Sequence, residues 1–141
     1  MKNLLTRTLT AAALLALTLP ALAAGINAKA TSTSHALEEV SAELHDYLHH
    51  AGYPSSYGSH GMEAAADDAH GTLHDWSHGN ATVAEVLADV DAANSAFDSM
   101  SSQLADAGLL TGPDQDKVAK KLYHQVHKEL ANLNAYTASA N

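Results

Sequence analysis

Apolar residues return at three- and four-residue intervals in four separate stretches of this chain. That is the spacing of one face of an α-helix, not the alternation of a strand. Leu37, Val40, Leu44, Tyr47, Leu48 and Ala51 predict a first helix from about Ser34 to Ala51. Gly52 and the turn formers from Tyr53 to Ser59 end it. Met62, Ala65, Ala66, Ala69, Leu73 and Trp76 predict a second from about His60 to Ser77, weakened at Gly71 by ~1 kcal/mol relative to alanine. Thr82 with Glu85 has capping-box spacing and opens a third. Its face is Val83, Val86, Leu87, Val90, Ala93, Phe97, Met100 and Leu104, and it ends near Gly108. After Thr111-Gly112-Pro113-Asp114 a fourth runs to about Tyr136, with Val118, Leu122, Val126, Leu130 and Leu133 inward.

Four such helices with short connections predict an all-α, antiparallel up-down-up-down four-helix bundle, one domain over residues 34–138. Met62 and Met100 read as core fillers. Asn94, polar but on the core side of the third helix, reads as a hydrogen-bonded register device.

The chain ahead of the first helix is of another kind. Lys2 and Arg7 precede an uncharged apolar stretch from Leu9 to Leu19, then Pro20 and the small-residue site Ala21-Leu22-Ala23. This is the layout of a secretory signal peptide over residues 1–23, too short in its apolar part to span a membrane. Residues 24–33, small and polar, are expected to be a disordered lead. Export, most simply to a periplasm, takes away two cations and no acid. The formal charge of −9 becomes −11, with no membrane insertion after cleavage. Such an acidic chain has no phosphate-binding surface, so no nucleic-acid partner is expected. No exposed apolar patch compels assembly beyond a monomer or weak homodimer.

With no cysteine there is no thiolate site, disulfide or c-type haem attachment. Histidine is the anomaly: of ten, eight lie between His35 and His78. His45 and His49 are four apart on the first helix, and His70, His74 and His78 repeat that spacing on the second. Histidines four apart on a helix are neighbours and can chelate one ion. A helical wheel places His45 and His49 ~110° and ~150° from the core direction, with Glu38 on the same flank. His70, His74 and His78 fall at ~80°, ~120° and ~160° in the same sense, with Glu63 and Asp67.

Flanks of the same sense on antiparallel neighbours either face each other or both face away, and the periodicity leaves this open. If they meet, and the loop midpoint sets the register, His45, His49, Glu63, Asp67 and His70 share one neighbourhood. Glu38 and His74 then share another, with His35 and His78 as outlying candidates. These sets offer imidazole and carboxylate without thiolate, the ligands of a divalent transition metal such as Cu, Ni or Zn. Binding requires neutral imidazole and should weaken as pH falls through ~6. His50, His60 and His78 individually read as bystanders, and His124 as a solvent-facing residue.

Enzymatic readings find less. There is no Glu-x-x-His of the di-iron bundle type and no nucleophile elbow, and a haem between the helices would have only His127, near a core flank, with Met62 opposite it. No catalytic residue is nominated. Two readings stand: an exported His-rich bundle that buffers, stores or delivers a divalent metal, and a non-catalytic envelope bundle whose surface histidines sense pH. The second would act through an envelope protein partner.

Overall fold

The computed structural model describes residues 25–140. The chain forms α1 (Ala30–His50), a 3-10 turn (Pro54–Gly58), α2 (Ser59–Ser77), α3 (Val83–Asp106), α4 (Lys117–Thr137) and a closing 3-10 turn (Ala138–Ala140). There is no strand among the described residues, and the architecture is the all-α four-helix bundle that the periodicity predicts. The stretch expected to be a signal peptide, residues 1–23, lies outside the described residues. No described helix is long and apolar enough to cross a membrane.

The helix ends follow local chemistry. Thr82 accepts from the Glu85 amide at 3.2 Å while Glu85 accepts from the Thr82 amide at 2.7 Å, completing the capping box. Gly52, at φ +77°, stops α1; its amide reaches the His49 carbonyl and that of Tyr53 reaches Leu48. The core is one cluster in which Leu37, Leu44, Leu48, Met62, Leu73, Met100, Leu104 and Leu133 are fully enclosed. Ala51 and Leu87 stand at the edge of their stripes, exposed and half-buried.

Two expectations are corrected. The lead is ordered from Gly25 onward: Ile26 is buried and the Asn27 amide donates to the Tyr136 carbonyl at 2.8 Å. α1 begins at Ala30, not Ser34, because Ala30, Thr33 and Ser34 fill the first buried turn with small side chains that show no apolar period. A Cβ on Gly25 would lie 2.7 Å from the Ala140 Cα, so glycine permits this close passage. The second correction is Val118, which is 46% exposed, while Ala119 beside it is fully buried. Asp116 sets the phase of the first turn by accepting from the Val118 and Ala119 amides at 2.9 and 3.0 Å.

α1 packs on α2 and α4, and α2 packs on α3; α3 and α4 stand further apart. Large rings fill the wider gap, with Phe97 stacked on Tyr123 and His127 at centroid distances of 5.3 and 5.4 Å. Asn94 and Asn134 exchange amide hydrogen bonds of 2.9 and 2.8 Å across it, and Asn94 also donates to the Val90 carbonyl. Along α1 and α2 the facing residues are small: Ser34, Ser41, Ser59, Ala66 and Ala69 are all buried. Short side chains from the two helices can therefore meet across that seam.

The turn between α1 and α2 is held from α4. Asp116 accepts from the Tyr47 hydroxyl at 2.9 and 2.8 Å and from the Tyr53 hydroxyl at 2.8 Å. Burial alone would raise the Asp116 pKa. The Ala119 amide, both tyrosine hydroxyls and the Val118 amide outweigh it and hold the carboxyl below its ordinary value. The same hydrogen bonds, with burial and the adjacent negative charge, push Tyr47 up and Tyr53 up to about 12.

Candidate metal centre

The histidine-bearing flanks of α1 and α2 face each other. Cross-helix contacts pair Ser34 with His70, Glu38 with His70, and His45 with both Ser59 and Glu63. Residue number rises on one helix as it falls on the other, so α1 and α2 run in opposite directions. These pairs are centred near Tyr53, not on the middle of the 52–59 loop. The 3-10 turn Pro54–Gly58 already climbs back beside the bundle, so the connection is asymmetric.

That shift of register regroups the candidate ligands. Two sets of three lie with their ligand atoms within 4.8 Å of one another: His35, Glu38 and His70, and His45, His60 and Glu63. His45 and Glu63 fall together as the sequence suggests, but His70 joins Glu38, not His45. His49, Asp67 and His74 belong to neither set among the described residues. The His49 ring stands 6.2 Å from that of His45, and His74 stands 6.5 Å from His70. His74 has Asp75 as its near carboxylate, at 3.8 Å. Asp67 lines a groove with Glu38, Ala42, His60, Glu63 and Ala64 that runs from one set to the other.

In the first set Glu38 Oε2 is 3.3 Å from His35 Nδ1 and 3.8 Å from His70 Nε2. In the second, Glu63 Oε2 is 3.9 Å from His60 Nδ1 and 3.8 Å from His45 Nε2. Ligand atoms of a tetrahedral ion bound at ~2.1 Å stand ~3.4 Å apart, so small side-chain rotations would close either set on an ion.

Each set has one held and one freer imidazole. His70 Nδ1 lies 3.2 Å from Ser34 Oγ, and His45 Nδ1 lies 3.0 Å from Ser59 Oγ. The Ser34 hydroxyl donates to the Thr31 carbonyl at 2.8 Å, so it accepts from His70 Nδ1–H. This fixes the tautomer that leaves the Nε2 lone pair aimed toward the Glu38 carboxylate. A lone pair and a carboxylate directed at one point could together hold a cation. The side chains of His70 and His45 are 26% and 20% exposed, against 55% and 80% for His35 and His60. The outer pair can therefore swing.

Electrostatics favour a cation on this face. No Lys or Arg occurs anywhere from residue 30 to residue 116, so α1 and α2 carry carboxylates and imidazoles with no fixed positive charge. The remaining histidines have other attachments. His50 Nδ1 meets the Asp46 carbonyl at 2.7 Å, His78 Nδ1 meets the His74 carbonyl at 2.9 Å, and His124 lies exposed beside Tyr123.

His60, read as a bystander, and His35, only outlying, are thus members of the sets. A signal for both exists in the sequence. Ser34-His35-x-x-Glu38-x6-His45-x3-His49 on α1 recurs as Ser59-His60-x-x-Glu63-x6-His70-x3-His74 on α2, at a constant interval of 25 positions. Counting i, i+4 histidines alone passes over it, because His35 and His60 have their partners on the other helix. No protein-family model, curated protein or solved structure matches the chain.

Proposed function

We propose that the protein is an exported, non-catalytic carrier or buffer of a divalent transition metal, held in the seam between α1 and α2. One observation carries the reading: four histidines and two glutamates from two helices gather in two compact sets on a face without Lys or Arg. Imidazole and carboxylate without thiolate suit Cu(II), Ni(II) or Zn(II). Three protein ligands leave a coordination position for water or for a ligand of an acceptor, which suits exchange over permanent storage. The export address at residues 1–23 supports a role outside the cytoplasm, most simply in a periplasm.

Calorimetric titration of the purified protein with Zn(II), Ni(II) and Cu(II) at pH 7.5 tests this. Micromolar or tighter uptake of at least one ion is expected, abolished in His45→Ala/His70→Ala and retained in His124→Ala. Absence of uptake for all three would overturn the reading. The His–Glu spacings of 3.3–3.9 Å would then favour the pH-sensitive bundle, since protonated imidazoles would pair with those carboxylates.

A further inference from the structure

The two ligand sets match in the contacts among their own members, and this deepens the metal-binding reading on which it rests. They differ in that His35 Nε2 also has Glu39 at 3.5 Å, where α2 carries Ala64. The inner histidine of each presents Nε2 to the glutamate at 3.8 Å. Its Nδ1 meets a serine hydroxyl on the opposite helix, at 3.0 Å in one set and 3.2 Å in the other. The outer histidine presents Nδ1 to the same carboxylate oxygen, at 3.3 and 3.9 Å. The next histidine along each helix stands off in the same way, both ring pairs being inclined at 61°. Each set also draws its Ser-His-x-x-Glu from one helix and its inner histidine from the other. Exchanging α1 with α2 therefore exchanges one set for the other, the relation of a local two-fold axis perpendicular to the seam.

We propose that α1 and α2 are two copies of one metal-carrying helix, and that the protein binds two divalent transition ions in equivalent mononuclear sites. The seven residues from Glu38 to His45 rise ~10 Å along α1, so the sites cannot share a bridging ligand, as paired ions ~4 Å apart do. Repulsion between two ions at that distance, screened by water and physiological salt, weakens the second by only about threefold. The carboxylates of Glu39, 3.5 Å from His35, and of Asp67, in the groove between the sets, offset part of that. Binding should therefore look like two nearly equal, independent events, not a tight site followed by a weak one.

Native mass spectrometry and competition with a chromophoric chelator, using Zn(II) as probe on the purified protein, decide the matter. Wild type should take up two ions with affinities within about fivefold. His60→Ala/Glu63→Gln should take up one, and His35→Ala/Glu38→Gln should also take up one, each with the affinity of the remaining site. The quadruple variant should take up none while keeping its helical circular dichroism, since these side chains are surface groups outside the core. His49→Ala/His74→Ala should still bind two.

A wild type that binds one ion, or either double variant that loses both, would overturn the two-site proposal while leaving metal binding intact. Wild type that binds none would overturn both.

Discussion

The Nδ1 atom of His70 on α2 is 3.2 Å from the Ser34 hydroxyl on α1, and that hydroxyl spends its proton on the Thr31 carbonyl. A buried serine thus chooses the tautomer and angle of an imidazole on another helix. Outer-shell partners of this kind typically change metal affinity by 10–100-fold. Ser34→Ala should weaken the Glu38 set by about tenfold and leave the Glu63 set unchanged. Ser59→Ala should do the reverse. Chelator competition on the two variants checks this, and an equal loss at both sites would argue for a general loosening of the seam.

His49 and His74 have the i, i+4 spacing that first draws attention to them, yet each ring stands more than 6 Å from the inner histidine. His49→Ala and His74→Ala should each change Zn(II) affinity by less than about threefold, the scale of a screened charge effect. Calorimetry against wild type reads the difference. A tenfold loss in either would show that these histidines close onto the ion when it binds.

The bundle was legible because its signal is collective: four stripes of period 3.6, a Thr82–Glu85 cap and glycines at helix ends. The helical wheel narrows the two histidine flanks to meeting or facing away, and the loop-midpoint register pairs His45 with Glu63 correctly but puts His70 with His45 instead of Glu38. Partner choice depends on the register across the Pro54–Gly58 turn, and about one helical turn of slip moves His70 from His45 to Glu38. That register is set from a distance, by Asp116 holding Tyr47 and Tyr53, and by small polar residues such as Ser34 and Ser41 that look like gaps in an apolar stripe. Val118 departs from the stripe only at the first turn, where the cap at Asp116 turns Ala119 inward, while Leu122, Val126, Leu130 and Leu133 are buried as the periodicity predicts.

Asn94 and Asn134 satisfy each other between α3 and α4, so removing one leaves a half-buried amide without its partner. Asn94→Ala should destabilise the protein by about 1–3 kcal/mol, the penalty of an unmade hydrogen bond. Replacing both by leucine should recover most of that loss, since neither amide is then stranded. Urea unfolding of the three variants makes the comparison. A double variant less stable than the single would mean that the pair is needed for packing as well as for register.

Asp116 joins α4 to the end of α1 and to the turn that fixes the ligand register, so its titration should be felt in the whole fold. Its carboxyl titrates below the ordinary range, so the ionised form is favoured in the folded state. That contribution is complete above the unfolded carboxyl value of ~4 and is lost as pH falls through the lower, folded value. Tyr53, pushed up to about 12, behaves in the opposite sense. Its contribution is complete below the unfolded value of ~10 and is lost as pH rises from there toward 12. Asp116→Ala removes an N-cap and the acceptor of both tyrosines and should lower stability by about 2–4 kcal/mol at neutral pH. The variant should flatten both limbs of the stability–pH curve, measured by thermal unfolding in the presence of a metal chelator. An unchanged acid limb in Asp116→Ala would place the acid sensitivity of the fold in other carboxylates.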